Sequence, residues 1–328
     1  MADYGTVYVG AKKNGVGSYG LWKSVDFGNH FTKILNEIQV SEIFVNPVES
    51  QIILIGTLNG IYKSIDGGNS WVNKLLLANE VYEIRRDSKG NCYAATEQGF
   101  YKSIDDGENW VLQGDTYRYR GLAIASDDTL YCGRNYDGIG VWKSTDKGAN
   151  WTQIKALANP LWNIAVDWWY PNILYYSSYT DGLYKSIDGG YNWQMIHYWE
   201  SYGGAIEIRP DNDNVLLDGV SGVPPSVLYS RISKDQGNTW LTVTVLPYGR
   251  IMQFAFEALN NSIVYATGIG LYKSLNGGDD WTLLSSLNTV LSSVGLAKIH
   301  LECCIIVYQK PTRQMSFNQF QKNVIRVN

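Results

Sequence analysis

The chain has 328 residues, of which 27 are basic and 31 acidic, so its formal net charge at pH 7 is −4. This charge gives no general attraction to nucleic acid or to anionic membranes. No apolar run approaches the ~18 residues that a membrane-spanning helix needs, so membrane insertion is not expected. No secretory signal is visible before the first predicted strand, and the sequence therefore assigns no compartment.

A phrase of eight residues, here called the octapeptide, occurs seven times. It has Ser at its first position, Gly at its fifth and, in six of the seven copies, Trp at its eighth. The third-position residues, which we predict to be structural, are Asp26, Asp66, Asp105, Asp146, Asp188, Asp235 and Asn276. Successive copies are spaced by 40, 39, 41, 42, 47 and 41 residues. A period of about 40 residues with several short strands per unit predicts a β-propeller.

Each repeat predicts one blade of four strands. In the second repeat the β-rich segments are 42–46, 52–57, 60–65 and 70–74, and Pro, Gly and Asn turn signals separate them. No window shows sustained helical periodicity. The predicted fold is therefore all-β, a single seven-bladed propeller of four-stranded blades.

The two ends of the chain are predicted to share the first blade. The first repeat opens at 6–10, which matches a second strand, and 294–300 resembles a missing first strand. A C-terminal strand in the first blade would close the ring without exposed edges. We therefore assign residues 1–300 to the propeller and residues 301–328 to a tail or extra strands. An eighth, degenerate blade that includes 303–308 is the alternative.

The octapeptide has a physical explanation that requires no ligand. Its Asp can accept hydrogen bonds from backbone N–H groups of a turn, and its Gly suits a positive φ. Its Trp can pack between neighbouring blades. Lysines also recur at one position of the repeat, and we interpret them as structural rather than as a basic patch: Lys63, Lys102, Lys143, Lys185 and Lys273.

The pattern Ser-x-Asp-x-Gly-x-x-Trp resembles the Asp-box, or BNR repeat, over about residues 6–300. Similar families are the sortilin-type receptor propellers, the photosystem II assembly-factor propellers, the xyloglucan-cleaving glycoside hydrolases and the sialidases. Many such proteins are extracellular. The resemblance implies that the boxes lie on the face opposite the usual ligand mouth. Phe31 and Asn276 depart from the pattern, so the two terminal copies are expected to be weaker.

Histidine and metal chemistry find little support. The three histidines, His30, His197 and His300, lie in different regions, which disfavours a Ser-His-Asp triad or a histidine zinc site. The run 211–214 contains two Asp and two Asn, but it lacks the EF-hand pattern and predicts a polar turn. No metal or other cofactor is expected.

The cysteines leave two interpretations open. Cys92 and Cys132 occupy equivalent second strands of adjacent blades, so a disulfide and two buried free thiols are both compatible with the sequence. Cys303 and Cys304 are neighbours without a metal-site spacing.

Catalytic residues are not singled out. A sialidase carries an Arg-Ile-Pro near its start, whereas the first arginine here is Arg85 and the only Arg-Pro is 209–210. A glycosidase needs two carboxylates that face each other across a sugar cleft. The xyloglucan-cleaving enzymes place that cleft between two propellers, and this chain holds one. Loop carboxylates are available without an evident pair: Asp115, Asp137, Asp181 and Glu200.

The connections on the face opposite the octapeptides are rich in Tyr, Trp and Arg. These residue types are enriched at binding hot spots, and their rings offer flat faces to a peptide or a sugar. The predicted ligand-binding residues are Tyr117, Arg118, Tyr119, Arg120, Arg134, Tyr136, Asp137, Trp162, Tyr179, Asp181, Tyr198, Trp199, Tyr202, Tyr248 and Arg250. The alternative is that some of these rings, such as Tyr119 and Trp162, only pack in strands.

We therefore expect a non-catalytic binding or scaffold propeller that recognises a protein segment or a glycan at these loops. The protein segment comes first, because the sortilin-type and assembly-factor propellers act in that way. A multivalent lectin is disfavoured because the loops do not repeat. A xyloglucan-cleaving type of hydrolase and a structural component of a larger assembly are the alternatives. Replacing Tyr117, Tyr119 and Trp199 together by Ala is expected to abolish binding and to preserve the fold.

Overall fold

The structure is a computed structural model. It describes residues 5–13, 19–136, 138–179, 181–198, 203–219, 230–243, 251–268, 270–285 and 291–296. In chain order, the strands of these residues are β1 (Val7–Ala11), β2 (Gly20–Ser24), β3 (Thr32–Asn36), β4 (Val40–Val45), β5 (Ile53–Thr57), β6 (Gly60–Ser64), β7 (Val72–Leu76), β8 (Val81–Arg86), β9 (Cys92–Thr96), β10 (Gly99–Ser103), β11 (Val111–Gln113), β12 (Tyr119–Ile124), β13 (Leu130–Arg134), β14 (Gly140–Ser144), β15 (Thr152–Ala156), β16 (Leu161–Val166), β17 (Leu174–Ser178), β18 (Gly182–Ser186), β19 (Gln194–His197), β20 (Ile206–Ile208), β21 (Leu216–Asp218), β22 (Arg231–Ser233), β23 (Leu241–Thr242), β24 (Gln253–Phe256), β25 (Val264–Thr267), β26 (Leu271–Ser274), β27 (Thr282–Ser285) and β28 (Leu291–Leu296).

These strands form seven antiparallel sheets of four strands each. Blade 1 has the order β28-β1-β2-β3, and blades 2 to 7 each contain four consecutive strands, from β4–β7 in blade 2 to β24–β27 in blade 7. The all-β, seven-bladed prediction is confirmed.

The ring is closed in blade 1 as predicted. Strand β28 pairs with β1, and Val294 lies opposite Val9 in the antiparallel register. The closing strand begins three residues earlier than the predicted segment 294–300. Residues 297–328 lie outside the described residues, so the domain boundary at 300 and the possible eighth blade stay predictions.

Burial follows the position of a strand within its blade. In blade 2 the second strand, β5, is buried at every residue, whereas the outermost strand, β7, has exposed ends. The core lies between neighbouring blades: Tyr8 and Leu21 of blade 1 pack against Val40 and Ile55 of blade 2. Burying one large apolar side chain contributes about 1.5–3 kcal/mol, so the repeated interfaces hold the ring together.

The octapeptide forms a tight turn between the third and fourth strands. In blade 2 the Ser64 hydroxyl donates a hydrogen bond to Asp66 (2.8 Å) and accepts one from the Gly68 N–H (2.8 Å). The carboxylate of Asp66 accepts the N–H of Ser70 (2.9 Å), and the Trp71 indole N–H donates to the carbonyl of Gly68 (3.1 Å). Gly68 has a φ of 92°, which favours glycine. The hydrogen bonds expected from the sequence are present.

The two terminal copies differ from each other. Phe31 has no indole N–H, so the first copy lacks the hydrogen bond from the ring to the fifth-position carbonyl. This agrees with the expectation that the first copy is weaker. Asn276 instead keeps the turn intact, because its oxygen accepts from the Asp280 N–H (2.9 Å) and its amide donates to the Asp280 carboxylate (2.8 Å). The expectation of a weaker last copy is therefore wrong for the hydrogen bonds of its turn.

A tyrosine and a lysine of one blade reach the octapeptide of the next. Tyr8 and Lys23 both donate to the carbonyl of Gly67, at 3.0 and 2.9 Å. The same arrangement recurs at the carbonyl of Gln236, which accepts from Lys185 at 3.1 Å. The Lys273 ammonium donates to the Phe27 carbonyl at 3.1 Å. Of the five lysines predicted to be structural, Lys185 and Lys273 therefore join neighbouring blades through these hydrogen bonds.

The innermost strands surround a central space, here called the channel, and a different kind of connection lies at each of its ends. The turns between first and second strands contact the octapeptides: the Gly67 N–H donates to Gln51 (3.0 Å), and the Gly189 N–H donates to Asn172 (2.9 Å). We call this side the octapeptide face. The opposite side carries the connections from second to third strands and from fourth to first strands, and we call it the loop face.

The two cysteines for which the sequence left a disulfide open are not bonded to each other. Cys92 and Cys132 are buried free thiols, and burial raises the pKa of Cys92 to about 12. Cys303 and Cys304 lie outside the described residues.

The run 211–214 is a polar turn, in which the Asn214 N–H donates to the Asn212 side chain (3.2 Å). In the part of the chain that the structure describes, no helix could cross a membrane.

Candidate functional site

Six side chains on the loop face form a continuous stack across blades 3, 4 and 5, here called the ladder. Tyr82 lies in β8, Arg120 in β12 and Trp162 in β16, each near the start of an innermost strand. The other members lie in or beside the adjoining loops. In spatial order the ladder is Tyr136, Arg118, Tyr82, Arg120, Trp162 and Tyr179.

The ladder alternates guanidinium groups and rings over most of its length. The Arg118 guanidinium carbon lies 5.8 Å from the ring centroid of Tyr136 and 5.1 Å from that of Tyr82. The guanidinium carbon of Arg120 lies 5.1 Å from the Tyr82 centroid and 3.6 Å from that of Trp162. Each such contact is worth roughly 0.5–2 kcal/mol, depending on desolvation. The stack therefore fixes arginine side chains that would otherwise be mobile.

Glu97 anchors the ladder from the loop after β9. Its carboxylate lies 3.4 Å from Nε of Arg118 and accepts a hydrogen bond from the Tyr82 hydroxyl. Burial and this carboxylate raise the pKa of Tyr82, so the phenol stays protonated as a donor. One carboxylate thus orients both a ring and a guanidinium.

A second, shorter stack lies within blade 4. The Arg134 guanidinium carbon is 3.4 Å from the Tyr117 ring centroid and 4.8 Å from that of Trp142. Asp115 lies 3.7 Å from Arg134, and it also accepts the hydroxyl of Tyr119 (2.9 Å). Tyr117 and Arg134, both predicted ligand contacts, are therefore brought together.

Tyr119 occupies a different environment from the one predicted. It is only 1% exposed, and its ring lies 5.8 Å from that of Phe100 and 5.9 Å from that of Trp151. Tyr119 is a core residue and presents no ring surface at the loop face. Its replacement by Ala would disturb the core, so the triple substitution proposed from the sequence does not separate binding from folding.

The other described candidates lie on the loop face with different exposures. Tyr136 and Tyr198 are exposed, whereas Trp162 is buried between blades. Asp181 accepts hydrogen bonds from Asn159 (2.8 Å) and Ser178 (3.1 Å), so it fastens its own loop. Further candidates lie outside the described residues: Asp137, Trp199, Glu200, Tyr202, Tyr248 and Arg250.

Charged side chains meet where the innermost strands surround the channel. Arg85 donates to Glu42 (2.8 Å) and to Glu83. Glu207 faces the same space from blade 6. Burial raises the pKa of Glu42 to about 7 and that of Glu207 to about 7. The cavity at the loop-face end has a volume of about 70 Å³.

A larger cavity of about 260 Å³ opens on the octapeptide face. Trp168 and Trp169, from the turn after β16, line it together with Arg209 and the channel residues Glu83 and Glu207. The sequence reasoning missed this site because the resemblance directs attention to the opposite face. The adjacent rings of Trp168, Trp169 and Tyr170 were the available signal.

No group of three or more His, Cys, Asp or Glu side chains that could hold a metal ion occurs among the described residues. The groups that the structure positions on the loop face are aromatic rings, guanidinium groups and carboxylates.

Comparison with solved structures identifies the same fold elsewhere. The GH74 xyloglucanase from Xanthomonas campestris superposes with a TM-score of 0.60 at 17% identity, over 86% of this chain and 60% of that one. The GH74 enzyme of Niastella koreensis has a TM-score of 0.60 at 19% identity, over 88% and 58%. YCF48 bound to D1 peptide has a TM-score of 0.59 at 16% identity, over 79% and 84%.

These similarities establish the propeller fold. The chain spans about three fifths of the length of the two GH74 enzymes and most of the YCF48 chain. No protein-family model and no curated protein matches the chain.

Proposed function

We propose that this chain is a non-catalytic binding propeller that recognises an extended protein segment along the ladder on its loop face. The ladder is the observation that carries the proposal. It joins three blades through side chains of the types that dominate protein-binding hot spots. Its two arginines and its accessible rings offer planar surfaces and N–H donors to backbone carbonyls, carboxylates and aromatic side chains of a ligand, while the buried Trp162 ring supports Arg120 from below.

The rigidity of the ladder supports binding. Ordering a rotamer-rich side chain at an interface costs about 0.5–1.5 kcal/mol. Arg118 is held by Tyr82, Tyr136 and Glu97 before any ligand arrives. Arg118 therefore loses most of its side-chain entropy when the chain folds rather than when a ligand binds. Ligand contacts can then contribute more of their energy to affinity.

The shape of the loop face favours a segment that lies across the surface. Pockets for small ligands usually enclose about 300–1,000 Å³, whereas the channel end on this face holds about 70 Å³. Tyr136 is 59% exposed at one end of the ladder, so its ring surface is accessible to a ligand. The similarity to YCF48, a propeller solved with a bound peptide, is consistent with this mode of use.

A selection experiment tests the proposal. A library of random linear peptides displayed on phage is panned against the folded chain, with the Arg118→Ala/Tyr136→Ala variant as the counter-target. We expect a shared sequence pattern that binds only the wild type. If no pattern emerges, or if it binds the variant equally, peptide recognition by the ladder is wrong. Binding or cleavage of xyloglucan oligosaccharides by the same preparation would then favour the glycoside hydrolase alternative.

A further inference from the structure

The cavity that opens on the octapeptide face has no residue of the ladder in its walls. Its walls are the apolar ends of β12 and β16, and its rim carries Trp168 and Trp169. A single water needs about 10–15 Å³ of such space, so about 260 Å³ admits a small organic group. The cavity is the larger of the two at the ends of the channel, and it lies on the opposite side from the ladder.

The carboxylates at the inner end of this cavity outnumber the cations that reach them. Arg85 is bonded to Glu42 and Glu83, and its charge also attracts Glu207, so three carboxylates share one guanidinium group. No hydrogen bond or ion pair to the Glu207 carboxylate comes from any described residue, although it borders both cavities. Glu207 is therefore the carboxylate that remains for an incoming cation.

The charges at the rim have their own partners. Arg86 is paired with Asp106 at 3.2 Å, and Arg209 is paired with Asp211 at 2.7 Å. Their positive charges are directed to these carboxylates.

Two further rim carboxylates receive hydrogen bonds from neutral groups. Asp167 accepts the N–H groups of Trp169 (2.8 Å) and Tyr170 (3.0 Å), and Asp213 accepts the amide of Gln236 (2.9 Å). The charge of Lys185 also attracts both carboxylates. Among the residues that line the cavity, four carboxylates still outnumber three arginines.

The two rings complete a site for a cation with an aliphatic stem. The Trp169 indole N–H donates to the Pro210 carbonyl at 3.0 Å, which fixes this ring across the boundary between blades 5 and 6. Trp168 is 44% exposed and presents its ring at the rim. Indole faces attract ammonium groups and cover alkyl chains.

We propose that this cavity is a binding site for an alkylammonium group, with Glu207 pairing the ammonium and Trp168 and Trp169 covering the alkyl stem. A lysine side chain and a free aliphatic diamine share this chemistry. The site lies on the opposite face from the ladder, so it is independent of peptide recognition there.

Isothermal titration calorimetry with two probes tests the proposal: 1,5-diaminopentane and Nα-acetyl-lysine amide. We expect saturable binding of at least one probe to the wild type. Glu207→Gln should weaken binding about tenfold or more, because a buried charged partner is lost. Trp168→Ala should weaken it roughly threefold, because an exposed cation–π contact is lost. Glu49→Gln, which removes an exposed carboxylate from a turn of blade 2 on the same face, should bind like the wild type.

The outcomes decide two questions: whether the ligand is a protein side chain or a free amine, and whether the site exists. Binding of the lysine amide alone would identify a protein side chain as the ligand, and binding of the diamine alone would identify a free amine. The proposal is overturned if neither probe binds, if neutral 1-pentanol competes equally well, or if both Glu207→Gln and Trp168→Ala bind like the wild type. Trp168→Ala alters an exposed ring, so it remains a valid test should Glu207→Gln affect folding.

Discussion

The Tyr265 hydroxyl donates a hydrogen bond of 3.1 Å to the carbonyl oxygen of Phe27 and thereby joins the last blade to the first. The residues are 238 positions apart in the chain, so this contact forms only when the ring closes. The ring is therefore closed by a side-chain hydrogen bond as well as by the backbone pairing of β28 with β1.

Removing the hydroxyl that closes the ring should lower stability. We expect Tyr265→Phe to reduce the free energy of unfolding by about 1 kcal/mol, the usual net contribution of one hydrogen bond. Urea denaturation followed by tryptophan fluorescence measures the change. Tyr191→Phe is the matched control because Tyr191 is exposed on the octapeptide face. Equal stability of the two variants would show that the bond contributes nothing.

The contribution of the octapeptide's indole N–H to stability can be measured by the same denaturation experiment. Trp71→Phe removes the N–H that donates to Gly68 at 3.1 Å and keeps an aromatic ring, as the first copy naturally does with Phe31. We expect a loss of roughly 1–2 kcal/mol from the hydrogen bond and the smaller ring. Denaturation midpoints for Trp71→Phe and the wild type give the value, and an unchanged midpoint would contradict the role of the donor.

The octapeptide carboxylates should make the fold sensitive to acid. Hydrogen bonds from Ser70 lower the pKa of Asp66 to about 2, and those from Asn109 lower the pKa of Asp105 to about 2. A carboxyl whose folded pKa is depressed stabilises the fold above its unfolded pKa near 4. That stability is lost as pH falls from about 4 towards 2. Melting temperatures of Asp66→Asn and the wild type should converge over this interval, and a constant difference would contradict the linkage.

Glu207 should have the opposite pH dependence. Burial raises its pKa to about 7, so ionising it in the folded state costs stability as pH rises from about 4.3 through 7. Glu207→Gln should therefore gain stability over the wild type across this interval, by up to about 3 kcal/mol at pH 8, since one pKa unit corresponds to about 1.4 kcal/mol. The measurement is urea denaturation at pH 4.5 and pH 8. A gain that is the same at both values would contradict this origin.

Tyr119 and Tyr136 should respond differently to truncation. Tyr119→Ala removes a ring from the core and should cost about 3–5 kcal/mol, whereas Tyr136→Ala removes an exposed ring and its contact with Arg118 and should cost no more than about 1 kcal/mol. Chemical denaturation of both variants checks the assignment. Similar losses in both would contradict the separation between core and loop face.

The sequence predicted the ring because every octapeptide marks one turn between a third and a fourth strand. The closing strand was also predictable, since 6–10 lacked a first-strand partner. The ladder was only partly predictable. Arg118 and Trp162 were identified from composition, but Tyr82 lies in the preceding blade, and nothing local in the sequence places its ring between Arg118 and Arg120.

Two errors have a common physical cause. Tyr119 has the same residue type as the loop aromatics, but strand alternation turns its side chain into the core. Trp168 and Trp169 were overlooked because the turn that carries them is short and lies on the octapeptide face. In both cases the decisive information is which side of the blade a side chain faces, and the sequence pattern at loop boundaries does not determine it.

The central claim is that the ladder binds a protein segment, and the affinity of a selected peptide tests it most directly. Its dissociation constant is measured by calorimetry for the wild type, for Arg118→Ala/Tyr136→Ala and for the control Tyr191→Ala/Lys234→Ala. The control removes an exposed ring and an exposed cation on the octapeptide face. We predict a loss of about tenfold or more for the ladder variant only, since hot-spot truncations cost more than 1 kcal/mol. Equal affinity for all three proteins would contradict the claim.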